Sequence, residues 1–454
     1  MKIINPATEE IITELKADTA ETLRAKFHLL KKAQKRWSDD ALAERVNILK
    51  TFSENLAANI ESLASVLTME VGKPIQQSRN EINGAITRIK WLTANAEKWM
   101  SDEIMTKEEN LEERISYDPL GVICNISAWN YPWLVGVNVF VPALLAGNTV
   151  MYKPSEYASL TGLEIQEQLI VSGVPSDVFQ VALGAGDTGK ILMDLSFDGY
   201  FFTGSYKTGK YIYEACASKM IPCQLEMGGK DPLYVTDDIV DISKVAAATA
   251  DGAFYNNGQS CCSVERIYVH EKVYDQYLEE FLKEVSSWKS GDPLENGIYF
   301  GPLTRKDQLA ILENQIVDAV GKNAKIILGG KQVQGKGYYF EPTILVNVSH
   351  DMLVMKDESF GPLIGIMKVK DDEEAIQLMQ DTEYGLTAAV YSSEKNRAEK
   401  ILSQLNTGSA YWNCCDRVSA PLPWSGRKHS GFGVALSHAG LRSFLKPKAW
   451  HFRG

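Results

Sequence analysis

Residues 121–126, Gly-Val-Ile-Cys-Asn-Ile, decide the fold class, because they begin a series of short apolar runs that alternate with helical patterns. Each run has the length and the apolar character of a buried strand. Further strands are predicted at 149–152, 179–183 and 200–203, with a helical stretch between the first two of these. Strands separated by helices imply βαβ units and a mostly parallel sheet.

The same alternation starts again beyond residue 230. Strands are predicted at 233–235 and 266–269, and a helix near 241–255 lies between them. The first hundred residues, in contrast, have the periodicity of amphipathic helices. The sequence therefore predicts an α/β protein with two parallel-sheet α/β domains and a boundary near residue 230.

Composition and charge exclude several classes of partner. The chain has 454 residues, of which 45% are hydrophobic and 23% charged, as in ordinary globular proteins of two or three domains. A formal net charge of −11 argues against nucleic-acid binding, since a phosphate backbone would be repelled. The longest apolar stretch, 134–147, is interrupted by Asn138 and Pro142 and is too short to cross a bilayer, so no membrane partner is expected. The first residues lack the apolar run of a secretion signal, so the expected location is cytoplasmic.

The strongest chemical signal is the segment 257–262, Asn-Gly-Gln-Ser-Cys-Cys, which is predicted to form a tight loop before a strand. A thiol on such a loop can be exposed and activated as a nucleophile. An inert buried cysteine is the alternative, and the adjacent pair leaves open whether Cys261 or Cys262 reacts. No Cys-x2-Cys or His-x3-His spacing occurs in the chain, so no metal site is expected.

A second signal is Glu226, which lies where an apolar strand meets the Gly-Gly turn at 228–229. Partial burial would raise the pKa of its carboxyl group towards neutrality, as a general base requires. An exposed loop carboxylate is the alternative. The segment 202–209 is a third signal, because it follows a strand and precedes a helix whose N-terminus would attract phosphate.

Several short motifs follow one another along nearly the whole chain: Asn5-Pro6-Ala7-Thr8, Glu70-Val71-Gly72-Lys73-Pro74, Trp129-Asn130, Lys153-Pro154-Ser155-Glu156, Phe202-Thr203-Gly204-Ser205, Glu226-Met227-Gly228-Gly229-Lys230, Gly258-Gln259-Ser260-Cys261, Glu358-Ser359-Phe360-Gly361-Pro362, Tyr384-Gly385-Leu386, Pro423-Trp424-Ser425-Gly426 and Ser430-Gly431. Each alone could be an ordinary turn. Together, and in this order, they resemble the aldehyde dehydrogenase superfamily of NAD(P)-dependent, hydrolytic enzymes.

The resemblance implies roles for individual residues. Cys261 matches the family's nucleophile, Glu226 its general base and Asn130 the amide that binds the oxyanion. The aldehyde would form a thiohemiacetal and then a thioester on Cys261, and Glu226 would activate the water that releases the acid. The residues that match the family's coenzyme-binding positions are Trp129, Lys153, Ser155, Glu156, Gly204, Ser205, Glu358 and Phe360.

The choice of coenzyme follows from the residue that would meet the adenine ribose. Glu156 would accept hydrogen bonds from the free ribose hydroxyls of NAD, whereas its charge would repel the 2′-phosphate of NADP. NAD is therefore the expected cofactor. NADP is the alternative, because Lys153 could partly offset the repulsion.

The segment 413–419 matches the part of the family that lines the substrate entrance. Arg417, with Ser419 close by, could pair with the carboxylate of a semialdehyde such as succinate semialdehyde. A solvent-facing salt bridge is the alternative role of Arg417. The expected substrate is an aliphatic aldehyde or a semialdehyde.

The resemblance also implies an aldehyde dehydrogenase-like architecture with a small β oligomerisation element beside the two α/β domains. The dinucleotide-binding domain is expected at 1–111 and 125–230, and the catalytic domain at 231–420. The oligomerisation element is expected at 112–124 and 436–454. A homodimer or homotetramer is expected, because the aromatic residues of the tail, Phe444, Trp450 and Phe452, are better buried against a partner than exposed.

Two functions of other classes compete with this interpretation. A cysteine hydrolase or amidase could use Cys261 and Glu226 without a dinucleotide, but it leaves the segment 202–205 and the pair Lys153 and Glu156 unexplained. A binding protein without activity would need neither Cys261 nor Glu226.

Overall fold

The computed structural model describes all 454 residues, which form two α/β domains and two small antiparallel sheets. The strands are β1 (Lys2–Ile4), β2 (Ile11–Glu14), β3 (Glu103–Glu108), β4 (Leu111–Pro119), β5 (Val122–Ile126), β6 (Thr149–Lys153), β7 (Phe179–Val181), β8 (Gly199–Gly204), β9 (Cys223–Met227), β10 (Asp231–Val235), β11 (Val264–His270), β12 (Lys325–Leu328), β13 (Thr343–Val346), β14 (Leu363–Val369), β15 (Thr387–Tyr391), β16 (Ser409–Trp412), β17 (Gly431–Phe432) and β18 (Leu445–Arg453).

Fifteen α-helices accompany the strands. They are α1 (Ala20–Asp39), α2 (Leu42–Ala58), α3 (Ile60–Val71), α4 (Ile75–Met100), α5 (Pro132–Leu145), α6 (Ser159–Val171), α7 (Gly186–Asp194), α8 (Tyr206–Ala217), α9 (Ile242–Phe254), α10 (Tyr274–Ser287), α11 (Asp307–Gly321), α12 (Leu353–Lys356), α13 (Asp372–Gln380), α14 (Lys395–Leu402) and α15 (Ser437–Arg442). None of them combines the length and the apolar character that a bilayer crossing needs.

The first domain is built on a six-stranded sheet in the order β17-β9-β8-β5-β6-β7, in which only β17 is antiparallel to its neighbour. The predicted strand at 121–126 is β5, in the middle of this sheet. Its side chains alternate between two cores, since Ile123 packs with α1 to α6 and Val122 and Cys124 pack on the opposite face. A strand covered on both faces is a continuous apolar run, as the sequence indicated.

The second domain has a seven-stranded sheet in the order β12-β13-β14-β11-β10-β15-β16, parallel except for β12. Tyr234 and Tyr268 face one core, and Leu233 and Ile267 face the other. The chain passes from the first sheet to the second between β9 and β10. The predicted α/β class with two parallel sheets is confirmed by this architecture and by the solved structures described below.

The third sheet, in the order β18-β4-β3, differs in its bounds from the predicted oligomerisation element. The hairpin is formed by β3 and β4 at 103–119, whereas the predicted segment 112–124 runs on into β5 of the first domain. Gly121, with φ of +133°, separates the two strands. The hairpin strands are partly exposed and rich in polar residues, so they lack the apolar signature that revealed β5.

Two connections were not anticipated. The strands β1 and β2 form a hairpin ahead of the helices of the first hundred residues. Near the other end, β17 returns from the second domain to the edge of the first sheet, where Gly431 pairs with Glu226. This return places the loop that follows β16 close to the strand that carries Glu226.

Candidate active site

A cleft of about 790 Å³ lies at the carboxyl ends of β5, β6, β8 and β9 and reaches the loop after α9. Ligands of parallel α/β sheets bind at this edge, because the loops that follow the strands converge there. The cleft brings together all the residues that the resemblance assigned to catalysis and to the coenzyme: Cys261, Glu226, Asn130, Trp129, Lys153, Ser155, Glu156, Gly204, Ser205, Glu358 and Phe360.

The loop before Cys261 is held in an unusual backbone conformation. Asn256, Asn257 and Gly258 have φ of +54°, +56° and +68°, three successive residues in the left-handed region. Asparagine and glycine tolerate this region better than other residues, and such strain persists only where surrounding contacts hold it. The amide of Asn257 supplies two of these contacts, since it donates to the carbonyl oxygens of Gly301 (2.8 Å) and Pro302 (2.9 Å). The turn therefore presents the next residues at a fixed place.

The two adjacent cysteines have different surroundings. Cys261 is partly exposed and lines the cleft, whereas Cys262 is buried and does not. The Cys262 thiol donates a hydrogen bond to Oδ1 of Asp416 at 3.0 Å. Its hydrogen bonding with Cys261 and its burial hold the pKa of the Cys262 thiol well above the usual range. Because the thiolate is the reactive form, Cys262 is a poor nucleophile and Cys261 is the better candidate.

Asn130 joins the loop after β5 to the cysteine loop. Its Nδ2 donates to the carbonyl oxygen of Gln259 at 3.1 Å, which leaves the second N–H of the amide for another acceptor. The backbone carbonyl of Asn130 accepts from Nζ of Lys73 at 2.6 Å and from Nδ2 of Asn256 at 3.3 Å. An amide fixed in this way, beside a thiol, can donate to an oxygen that gains negative charge during a reaction.

Lys73 acts together with Glu81 of α4. The two side chains form an ion pair from which solvent is excluded. Glu81 also accepts, through Oε1, from the backbone N–H of Trp133 at 2.9 Å, at the start of α5. The pair therefore fixes both Asn130 and the helix that follows it.

Glu226 lies near the end of β9 and is only 8% exposed. Burial raises the pKa of its carboxyl group to about 7, although a hydrogen bond from Gln224 (3.0 Å to Oε1), the charge of Arg88 and the indole of Trp424 act in the opposite direction. A carboxyl group with a pKa near 7 is half deprotonated at neutral pH, which suits proton abstraction from water.

A second buried ion pair supports the far wall of the cleft. Nζ of Lys230 lies 2.6 Å from Oε2 of Glu265, and this carboxylate accepts the backbone N–H groups of Ser359 and Phe360 at 2.8–3.1 Å. Phe360 is thereby held at φ of +46°, with its ring 5.5 Å from that of Trp129. The two rings meet edge to face and line the same part of the cleft.

Glu358 projects towards the turn that follows β9. Its Oε1 accepts from the backbone N–H of Gly229 at 3.1 Å, and any side chain at Gly228 would collide with its carboxyl group. Burial and the nearby charge of Glu265 raise the pKa of Glu358 to about 8.

The other half of the cleft has features that suit phosphate groups. The N-terminus of α8 opens into it, and the hydroxyl group of the N-cap residue Ser205 accepts from the backbone N–H of Thr208. Helix N-termini bind anions through their free N–H groups and the helix dipole. Gly186 and Gly189 also line the cleft, and no atom lies within 4 Å of where a side chain would begin at either position. The space beside them can therefore accept a ligand.

Other residues that line the cleft were not predicted from the sequence. Lys190, Lys207 and Arg305 add positive charge to the lining of the cleft. Nothing in their sequence context distinguishes them from surface cations. The partners Glu81 and Glu265 were missed because a buried carboxylate within a helix or a strand has no local signature.

The two predicted substrate residues lie elsewhere. Arg417 and Ser419 are exposed and do not line the cleft. Arg417 forms no ion pair within 4 Å, so the surface salt bridge considered as its alternative role is absent as well. Its neighbour Asp416 is the residue that reaches the cysteine loop, through Cys262 and through Ser260 (3.3 Å).

The chain is similar to known proteins over nearly its whole length. The family model of the aldehyde dehydrogenase family matches residues 1–450. A chloroplastic betaine aldehyde dehydrogenase of Amaranthus hypochondriacus is 34% identical over 98% of this chain and 91% of its own length.

Solved structures are similarly close. An E. coli NADP-dependent enzyme superposes with a TM-score of 0.96 at 31% identity, over 100% of this chain and 94% of its own. PnpE in complex with nicotinamide adenine dinucleotide has a TM-score of 0.96 at 29% identity, over the same shares of the two chains.

The chain belongs to the aldehyde dehydrogenase family. It is an oxidoreductase that acts on aldehydes, as the resemblance predicted. The expected cytoplasmic location stays a prediction, since the Amaranthus relative is named as chloroplastic.

The Lys73–Glu81 pair generates a prediction about stability. Replacing Glu81 by Gln leaves the Lys73 ammonium buried without a counter-charge, so the free energy of unfolding is expected to fall by about 3–5 kcal/mol. Replacing Glu61 by Gln is the matched control, because Glu61 pairs with Arg79 at the surface, and such pairs contribute little. Urea denaturation measures both. Equal midpoints for E81Q and E61Q would contradict the role given to the buried pair.

Proposed function

We propose that this protein oxidises an aldehyde to a carboxylic acid with NAD, through Cys261 as nucleophile and Glu226 as general base. The observation that carries the proposal is the meeting of three groups in one cleft: a partly exposed thiol, a fixed amide and a buried carboxyl group of raised pKa. A nucleophile, an oxyanion donor and a base are the parts that acyl transfer to water needs.

The first step forms a covalent bond to the substrate. The Cys261 thiolate attacks the aldehyde carbon, and the carbonyl oxygen becomes an oxyanion. The free N–H of the Asn130 amide and the backbone N–H of Cys261 are the proposed donors, and one such donor contributes about 3 kcal/mol to transition-state stability. A bound nicotinamide supplies the hydride acceptor for the oxidation, after which the substrate carbon is a thioester on Cys261.

The second step releases the product. Glu226 takes a proton from water while the water oxygen attacks the thioester carbon. The carbon–sulfur bond breaks, Cys261 leaves as the thiolate and the acid is free. Gln224 keeps the carboxyl group of Glu226 in place through its hydrogen bond.

The cleft fits a dinucleotide in three respects. The N-terminus of α8 and the open space beside Gly186 and Gly189 suit the pyrophosphate, and the aromatic side chains of Trp129 and Phe360 offer an apolar wall against which a nicotinamide ring can pack. Lys153 and Glu156 line the part after β6 where the adenine ribose would lie. A hydrolase without a coenzyme would leave these features unused.

Glu156 is proposed to select NAD against NADP. Replacing it by Gln removes a charge that would repel the 2′-phosphate while keeping a hydrogen-bond acceptor for the ribose. The dissociation constant for NADP is expected to fall several-fold and that for NAD to rise, as measured by quenching of tryptophan fluorescence. An unchanged ratio of the two constants would remove Glu156 from coenzyme selection.

The assignment of the nucleophile is tested by two neighbouring variants. Cys261→Ala is expected to reduce NADH formation from aldehyde and NAD by about 10⁴-fold or more, because the covalent route is lost. Cys262→Ala is the matched control and should stay within a few-fold of the wild type, since the Cys262 thiol is buried and protonated. Loss of activity in C262A with retention in C261A would reverse the assignment.

The raised pKa of Glu226 predicts a dependence on pH. The base acts in its deprotonated form, so the rate of acid release is expected to rise as the pH increases through about 7 and then to level off. In Glu226→Gln the first turnover should still yield NADH, while steady-state turnover falls by about 10²–10⁴-fold. Stopped-flow absorbance at the NADH band measures both phases. A steady-state rate in E226Q equal to that of the wild type would exclude this role.

The third sheet is proposed to join subunits into a homodimer or a homotetramer. It projects Ile104, Met105 and Phe452 towards solvent, and apolar side chains gathered on a small three-stranded sheet are better buried in an interface. Sedimentation velocity at micromolar concentration should give the mass of two or four chains. A single-chain mass under these conditions would contradict the proposal.

A further inference from the structure

Arg88 of α4 is a buried cation without an acidic partner. Its side chain and backbone together are only 8% exposed, and no aspartate or glutamate lies within ion-pair distance of it. Two other buried cations near the site are paired, Lys73 with Glu81 and Lys230 with Glu265. Lys153, which also lacks an acidic partner, lines the part of the cleft proposed for the coenzyme. Isolated buried charges are costly, so their presence points to a function.

Only one of the three nitrogen atoms of the Arg88 guanidinium group is bonded to protein. Nη1 donates to the carbonyl oxygen of Leu134 (3.1 Å) and to Oδ1 of Asn138 (2.9 Å), both on α5. Nε and Nη2 have no protein acceptor, and neither is among the fully enclosed atoms that lack a partner, so both keep some accessible surface. Arg266, by contrast, uses all three nitrogens in bonds to the protein, as a structural arginine does.

The helix to which Arg88 is bonded, α5, directly follows the loop of Asn130. Arg88 follows Glu81 by seven residues, so both lie on the face of α4 that contacts the start of α5. Its positive charge acts to lower the pKa of Glu226. Burial lowers the pKa of Arg88 only to about 10, so it stays charged at neutral pH.

We propose that Nε and Nη2 of Arg88 bind a carboxylate at the far end of the aldehyde substrate, so that the enzyme selects semialdehydes. The proposal rests on the proposed aldehyde oxidation and names its substrate class. A guanidinium edge with two adjacent free donors matches the two oxygens of a carboxylate. Because Nη1 is already bonded to α5, the Arg88 side chain loses little conformational entropy when it binds a carboxylate.

Two other charged residues compete for this role. Arg417 lies on an exposed loop, so any carboxylate bound there would stay in contact with solvent. Asp416 lies beside the cysteines and would favour a cationic substrate. However, its Oδ1 already accepts from Cys262 and Ser260, and burial raises the pKa of its carboxyl group to about 7, so it is partly neutral at the pH of the reaction.

The test uses three aldehydes of the form OHC–CH2–CH2–X, in which X is a carboxylate, a methyl group or an ammonium group. These are 4-oxobutanoate, butanal and 3-aminopropanal. The wild type is expected to have its highest kcat/KM with 4-oxobutanoate. In Arg88→Gln this value should fall by about 10- to 100-fold, the effect of losing a charge-assisted hydrogen bond, while that for butanal changes by much less.

Two variants complete the experiment. Arg79→Gln, on the same helix but in a surface ion pair with Glu61, is the control for general damage to α4 and should keep the wild-type ratio between the two aldehydes. Arg88→Lys keeps the charge without the planar edge and should recover part of the preference. Succinate, which carries the carboxylate without the aldehyde, should compete with butanal in the wild type and not in R88Q.

The outcomes are distinguishable. If the wild type oxidises none of the three aldehydes, the proposed function itself fails. An equal loss for butanal and 4-oxobutanoate in R88Q would mean that Arg88 supports Glu226 and Cys261 electrostatically, and it would overturn the substrate contact. A wild-type preference for 3-aminopropanal, or a selective loss for 4-oxobutanoate in Arg417→Gln alone, would also overturn it.

Discussion

The hydrogen bond from the Asn130 amide to the carbonyl oxygen of Gln259 is the contact on which the site depends. It joins the loop after β5 in the first domain to the cysteine loop of the second. Neither domain has the complete set of reactive groups, since Asn130 and Glu226 belong to one sheet and Cys261 follows a helix of the other. The proposed chemistry therefore requires that the two domains stay in register across this contact.

Buried charge maintains that register. Lys73 with Glu81 holds the backbone of Asn130, and Lys230 with Glu265 holds the backbone that carries Phe360. Buried ion pairs add little net stability, because desolvation offsets most of the Coulomb attraction. Their value here is positional: each pair fixes several backbone groups that an apolar core could not orient. The left-handed turn at 256–258 also fixes the position of the cysteine loop, because the surrounding contacts hold its strained backbone in place.

The sequence predicted the parts of the fold whose signal is local. Buried strands such as β5 and β8 are continuous apolar runs. The strands of the β3–β4 hairpin were not predicted, because partly exposed strands mix polar and apolar residues. Strand β17 was not predicted, because two residues are too few to show a periodicity. Strand pairing between distant segments is a tertiary property, which no window of sequence contains.

The site shows the same division. Cys261, Glu226 and Asn130 were predicted because they lie in short motifs, and the fold brings them into one cleft. Arg417 is predicted to contact the substrate because its loop matches a substrate entrance, and the structure shows its side chain exposed on that loop. Arg88 lies in no recognisable motif. Its burial and its free hydrogen-bond donors depend on the tertiary structure, so the sequence does not predict them.

Cys261 is proposed to carry the substrate between oxidation and hydrolysis. The most direct measurement is peptide mapping by mass spectrometry after E226Q protein has been mixed with aldehyde and NAD and quenched in acid. The account predicts the acyl group of the substrate on the peptide that contains 257–263, with fragment ions that assign it to Cys261. An unmodified Cys261 after NADH has formed, or an acyl group on another residue, would contradict it.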